Sequence, residues 1–279
     1  MDKTSITGWD WSRLKELGKN SLKSILTRKE QSGAFDPILQ EILRSRHIDM
    51  VFQPVVSLDN YGILGYEALA RGPQGSDYEK PLSLLAAAEH HDCRLDLETI
   101  CHRSAILTAA GDLQSKHLFL NFDPRYVNYY RLQPILSYLD KNHIDPHQIV
   151  LEITERTKVD DYLSLASHLE IYRREGIRVA VDDAGAGYSS LQAMAELNPD
   201  FVKVDLSLIS NIHVDTLKQV ILETLTSLCH KIKAEVICEG IEQVEELCTI
   251  QELGCQYGQG YLFGIPGRLN HHHLAKLLR

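Results

Sequence analysis

Ile177-Arg178-Val179-Ala180-Val181-Asp182-Asp183-Ala184-Gly185-Ala186-Gly187-Tyr188-Ser189-Ser190 passes from a β-branched apolar run to two acids, two glycines and two serines. The run reads as a buried strand, and the acids stand where it should end. The glycines allow a loop with positive φ, and Ser189-Ser190 suit the cap of a following helix. Taken alone this is an Asp-rich turn, because Asp and Gly dominate turns for local reasons. Its weight comes from recurrence of the same unit along the chain.

Strand patterns fall at 50–56, 62–69, 117–122, 148–153, 177–182, 200–205, 234–238 and 256–263. Amphipathic helices lie between most of them. The apolar face of 161–175 is Tyr162, Leu165, Leu169 and Tyr172, and that of 214–232 is Val214, Leu217, Ile221, Leu225, Leu228 and Ile232. A further helix over 36–46 begins at Asp36-Pro37, a cap followed by a first-turn proline. Eight strands with intervening helices specify an α/β chain folded as a TIM (β/α)₈ barrel. One junction breaks the rule. Only Ser57-Leu58-Asp59-Asn60-Tyr61 separates the first two strands, too little for a parallel crossover. That junction is a hairpin, so the barrel is a modified one with an antiparallel strand at its start.

Chemistry in such a barrel gathers at the C-terminal strand ends. Read in order, those ends carry Glu67 and Arg71, Asn121, Glu152 and Glu155, Asp182 and Asp183, Lys203 and Asp205, Glu239, and Gln259. The period of two puts Lys203 and Asp205 on one face. A charged residue closing a strand is usually only solvated. A ring of acids embedded in apolar runs is different, because packed carboxylates repel and shift upward in pKa. Hard divalent cations on oxygen ligands resolve that repulsion, and an all-oxygen set with one Asn suits Mg²⁺ or Mn²⁺ better than zinc. Two such ions ~4 Å apart activate water and clamp a phosphodiester.

The net charge of −9 argues against a duplex nucleic acid partner. No apolar run reaches the length of a membrane span, and no signal-peptide core is present. The six cysteines show no CxxC or metal-ligand spacing, which suits a reducing compartment and a cytoplasmic protein. Residues 1–33 are polar and partly helical in pattern, a helical extension or linker ahead of the domain at 34–279. His271-His272-His273 is read as native, since apolar helical residues follow it.

The motifs Gln53-Pro54-Val55-Val56, Glu67-Ala68-Leu69-Ala70-Arg71, Asn121, Glu152-Ile153-Thr154-Glu155, Asp182-Asp183, Lys203-Val204-Asp205, Glu239-Gly240-Ile241-Glu242 and Gln259-Gly260-Tyr261 occur in this order. In combination they resemble the EAL domain, the bacterial phosphodiesterase family that hydrolyses cyclic di-GMP to linear pGpG. The resemblance covers residues 34–279. It implies two Mg²⁺ or Mn²⁺ ions per active site, with Ca²⁺ inhibitory. Glu67, Asn121, Glu152 and Asp182 would hold one ion, with Asp182 bridging to a second served by Asp183 and Glu239. Lys203 would act on the attacking water, while Asp205 and Gln259 orient waters. Arg71 would meet a ligand phosphate, and Leu69 and Gln53 would line the nucleotide site. Glu155 resembles the residue that steadies the loop after Asp183, a loop tied in the family, with a neighbouring helix, to homodimer formation.

Ala184 and Ala186 stand where the family usually has Phe and Thr, so the expected loop is less anchored and less coupled to dimerisation. Asn121 is followed by Phe122-Asp123 rather than a small residue and Ser, and Gln256 replaces a common Asp. Two other readings remain: a non-catalytic cyclic di-GMP receptor, and a barrel lyase with a Lys base and Mg²⁺-held enolate. Degenerate receptors lose metal ligands or the equivalent of Lys203, and this chain keeps both. The Glu67-to-Arg71 motif has no role in lyase chemistry.

Overall fold

The computed structural model describes residues 36–154, 159, 161–185 and 190–269. The extension at 1–33, Glu155 and Ala186 therefore lie outside the described residues, as does most of the loop before Ser190.

The first described helix, α1 (Pro37–Ser45), starts as its sequence implies. Asp36 Oδ1 accepts from the backbone N–H groups of Ile38 and Leu39, at 2.9 and 3.1 Å. The chain then runs β1 (Asp49–Ser57), β2 (Ile63–Arg71), α2 (Pro81–His90), α3 (Arg94–Ala109), β3 (His117–Phe122), α4 (Tyr129–Lys141), β4 (Ile149–Thr154), α5 (Tyr162–Arg174), β5 (Arg178–Ala184), α6 (Ser190–Leu197), β6 (Phe201–Val204), α7 (Leu206–Ile209), α8 (Thr216–Ile232), β7 (Glu235–Cys238), α9 (Val244–Glu252) and β8 (Tyr257–Gly258). The strands close in sequence order into a barrel. β1 is antiparallel to both β2 and β8, and every other pairing is parallel. The short β1–β2 link thus gives the hairpin that its length requires.

Inside the barrel one fully buried apolar layer spans the strands: Val55, Phe119, Val150, Ala180, Phe201 and Ile237, with Leu64 and Tyr257 packed against it. On β2 the space belongs to Phe119, whose ring would lie 2.9 Å from a Cβ on Gly65. Step two residues from this layer toward the rim and the side chains turn polar. Phe119 leads to Asn121, Val150 to Glu152, Ala180 to Asp182, Phe201 to Lys203, Ile237 to Glu239, and Tyr257 to Gln259. On the reversed β1 the same step runs backward, from Val55 to Gln53, which pairs with Glu67. The apolar floor and the acid rim are one periodicity.

Three expectations change. β8 has two residues rather than eight, because the chain leaves the sheet at Gln259 and lies against the segment after β7. A Cβ on Gly260 would sit 2.1 Å from the Ile241 carbonyl oxygen, so only glycine permits that approach. On α8 the buried residues are Leu222, Thr226 and Cys229, while Val214 just before it and Leu217, Val220 and Ile221 on it are exposed. The periodic stripe is real but its first half faces outward. Ala184, expected in a mobile loop, is the last residue of β5, pairs with Val204 and is completely buried.

Candidate active site

Adjacent residues on a regular strand face opposite ways. Asp182 and Asp183 escape this because β5 shifts register against β6 between Val181 and Ala184, and Asp183 adopts φ +61°. Asp tolerates that left-handed conformation better than most residues. Thr154 Oγ donates to Asp183 Oδ2 at 2.9 Å and holds the second acid in place. Asp182, Asp183 and Glu239 each bring one oxygen within 4.8 Å of the others.

Lys203 lies at the centre, its side chain 1% exposed. Its Nζ is 2.6 Å from Glu152, 2.7 Å from Glu239, and 3.3 Å from both Glu67 and Asp182. Burial alone would depress this amine, but the surrounding carboxylates hold it well above the ordinary lysine value. Burial pushes Glu152 well above the carboxylate range, with Glu67 and Asp182 adding repulsion. The same burial pushes Glu239 up to about 8, against the pull of Lys203. Glu67 moves the other way. Burial raises it, but Lys203, Gln259 and Asn121 together outweigh that and hold it below its usual value.

Asn121 Nδ2 donates to Glu67 Oε1 at 3.0 Å, and Gln259 Nε2 donates to Glu67 Oε2 at 2.7 Å. Gln259 also reaches Gln53 Oε1 at 3.1 Å, and Gln53 donates to the Gly264 carbonyl at 3.2 Å. Gln53, Gln259 and Glu67 therefore form one chain. Leu69 and Arg71 are half-buried on the same strand as Glu67, and Arg71 donates to the Ala70 carbonyl at 2.9 Å. Asp205 stands apart from the described contacts of Lys203. Its Oδ1 accepts from Ser207 N–H at 2.8 Å and caps α7. A cavity of about 540 Å³ runs from Asp182 and Asp183 past Glu67 and Leu69 to Leu82 and Leu85 of α2, within the usual size of small-ligand sites.

These residues fit a hard divalent cation. The donors are all oxygen, and the buried Glu152 Oε2 accepts no hydrogen bond. Four carboxylates (Glu67, Glu152, Asp182, Glu239) crowd one ammonium, with Asp183 beside Asp182 and Glu239, and the raised values of Glu152 and Glu239 mark a site short of positive charge.

Sequence reading quoted Thr154 within a motif without giving it a role, and passed over Glu98 and His102 of α3. The last two are buried and four residues apart on a helix otherwise packed through Leu97, Ile100 and Ala105. That pairing within an apolar face was the available signal.

An acid-rimmed (β/α)₈ barrel with one reversed strand is the class these features define. The sequence matches the EAL domain over residues 37–266, and the chain belongs to that family. It is 30% identical over 230 residues to the probable cyclic di-GMP phosphodiesterase PdeB of Escherichia coli (strain K12), covering 81% of this chain and 44% of that protein. It is 27% identical to the cyclic di-GMP phosphodiesterase RocR of Pseudomonas aeruginosa, covering 82% of this chain and 61% of that one. The chain thus spans about half the length of these relatives. Among solved structures, a standalone EAL protein of Vibrio cholerae O395 in its c-di-GMP-bound form superposes with a TM-score of 0.73 at 32% identity, covering 80% of this chain and 93% of that one. BlrP1 of Klebsiella pneumoniae, as a manganese and cyclic di-GMP complex, gives 0.73 at 29% identity over 79% of this chain and 56% of that one. No helix among the described residues is long and apolar enough to cross a membrane.

Proposed function

We propose that this chain hydrolyses cyclic di-GMP to linear pGpG with two Mg²⁺ or Mn²⁺ ions, the catalytic unit being residues 34–279. The observation that carries this reading is the excess of carboxylate around a single buried ammonium. Glu67, Asn121, Glu152 and Asp182 hold one ion, and Asp182, Asp183 and Glu239 the other. Bound divalent ions lower the pKa of a ligated water and offset charge on the phosphoryl oxygens.

Lys203 acts on the attacking water by donating to it and orienting it, and Gln259, tied to Glu67, fixes a polar position beside it. Asp205 shapes the turn after β6. Leu69 and Gln53 line the nucleotide site, and Arg71 meets a phosphate. The six cysteines are all free, in keeping with work in a reducing compartment such as the cytoplasm. A homodimer through the loop after Asp183 and a neighbouring helix is part of the same reading.

Incubation with cyclic di-GMP and Mn²⁺, followed by chromatography, should yield pGpG. Tight nucleotide binding with no product would instead establish a receptor.

A further inference from the structure

The β2–β3 ladder ends at the pair Ala68 and Leu120, one residue before Asn121. Beyond it, α3 supplies the partners that a neighbouring strand no longer offers. The Asn121 carbonyl accepts from His102 Nε2 at 2.8 Å, and the Asp123 N–H donates to Glu98 Oε2 at 3.2 Å. Between them the His102 ring stacks on Phe122, with centroids 4.8 Å apart and planes at 25°. Glu98 is held in turn by Arg131 of α4, whose Nη2 donates to Oε1 at 2.9 Å. Both α3 side chains are buried, Glu98 at 6% and His102 at 4% exposure.

Three consecutive residues at the end of β3 are thus gripped from the helix side. On the barrel side, the first of them turns its amide to Glu67. A peptide plane fixed at its carbonyl cannot rotate freely, so the side chain on the same residue keeps its direction. Unheld, the strand end would leave the part-buried Asn121 carbonyl and the buried Asp123 N–H without these partners and would relax to satisfy them.

We infer that His102 and Glu98 are positioning residues that fix Asn121 as a metal ligand by completing the backbone hydrogen bonds of the β3 exit. Neither touches substrate. The inference rests on the proposed metal-dependent reading, in which Asn121 ligates an ion. Partners of ligands commonly change metal affinity about 10- to 100-fold when removed.

The test is Mn²⁺ binding to the whole chain, followed by electron paramagnetic resonance of the free ion, with melting temperature recorded alongside. His102→Phe keeps the stack on Phe122 and removes the donor, so its Mn²⁺ dissociation constant should rise about 10-fold or more. His102→Gln restores an N–H donor and should recover most of that loss. In an Asn121→Ala background His102→Phe should change affinity little further, because the ligand it positions is gone. Should His102→Phe not fold, His102→Leu reads the same quantity. A folded donor-less variant with wild-type affinity, or equal losses with and without Asn121, overturns the inference alone. Failure of the wild type to bind Mn²⁺, or no effect of Asn121→Ala, removes the metal reading and this inference with it.

Discussion

Lys203 Nζ lies 2.6 Å from Glu152 Oε1, with the two side chains 1% and 0% exposed. A buried pair of this kind is costly to halve, because the surviving charge keeps its desolvation penalty without its partner. Lys203→Met should therefore destabilise the metal-free protein by about 3–5 kcal/mol. Divalent ions should restore more stability to the variant than to the wild type, since they replace the lost positive charge. Urea unfolding with EDTA and with Mn²⁺ measures both terms, and equal metal effects would count against this picture.

In turnover, the same substitution should lower kcat by about 10²–10⁴ with little change in KM, the pattern of lost help to a nucleophilic water. Arg71→Ala should mainly raise KM, as a phosphate contact would. Steady-state kinetics in saturating Mn²⁺ separate the two, and a swapped pattern would exchange the roles.

Glu67 is not a free carboxylate. It receives Asn121, Gln259 and Lys203, so Glu67→Ala should abolish hydrolysis but also takes one acceptor from each of three donors, of which Gln259 keeps Gln53 and Lys203 keeps its other carboxylates. Glu67→Gln keeps the shape and one acceptor, and should lose activity with a smaller drop in melting temperature. Near-wild-type turnover of Glu67→Gln at high Mg²⁺ would remove this residue from the ligand set.

Calcium should support nucleotide binding without turnover. Ca²⁺ takes more ligands, at about 2.3–2.6 Å, than the tight octahedral shell of Mg²⁺, which moves the attacking water off its line. BlrP1 of Klebsiella pneumoniae has been solved as a calcium complex with cyclic di-GMP, as well as with manganese. Comparable rates in Ca²⁺ and Mn²⁺ here would refute the expectation.

Burial pushes the Glu98 carboxyl from 4.5 up to about 7, against the pull of Arg131. A raised folded-state value means that the folded form holds the proton longer. Its stabilising contribution is complete below pH 4.5 and fades as pH climbs through 7. Glu98→Gln cannot titrate, so relative to the wild type it should gain at most about 3 kcal/mol between pH 4.5 and pH 8.5. Chemical denaturation at the two ends reads the difference, and parallel curves would show that Glu98 does not titrate in this window.

Leu217, Val220 and Ile221 of α8 are exposed by 69%, 53% and 41%, and Leu191 of α6 by 65%. Apolar patches of this kind mark contact surfaces. Leu217→Lys with Ile221→Lys should weaken self-association measured by sedimentation while leaving the monomer folded. Unchanged sedimentation would place any dimer contact elsewhere. Ala184→Phe should destabilise rather than anchor this region, since a ring there would be forced into a packed strand.

The acid rim was legible because strand period and barrel geometry turn a list of positions into a ring. Asp182, Lys203 and Glu239 needed no coordinates to be placed together. Other features depend on contacts that no local pattern encodes. The outward stripe of α8 has the same spacing as a buried one, and only the barrel decides which side is covered. The shortness of β8 follows from Gly260 lying on the Ile241 backbone, a meeting of residues far apart in the chain. Ala184 looked like loop because two glycines follow closely. The register shift that brings both acids to the rim also draws that alanine into the sheet.

The reversal of β1 decides at which end the chain enters the barrel. In an all-parallel barrel the first strand is entered from the end opposite the catalytic rim. Here Asp49 opens β1 beside Arg71, on the rim itself. The preceding helix α1 packs Leu39, Ile42 and Leu43 against Leu84 of α2 and Leu97 of α3. Leu97 is the immediate neighbour of Glu98. Helix α1 therefore lies at the working face, against the helix that grips Asn121, rather than at the far end of the barrel.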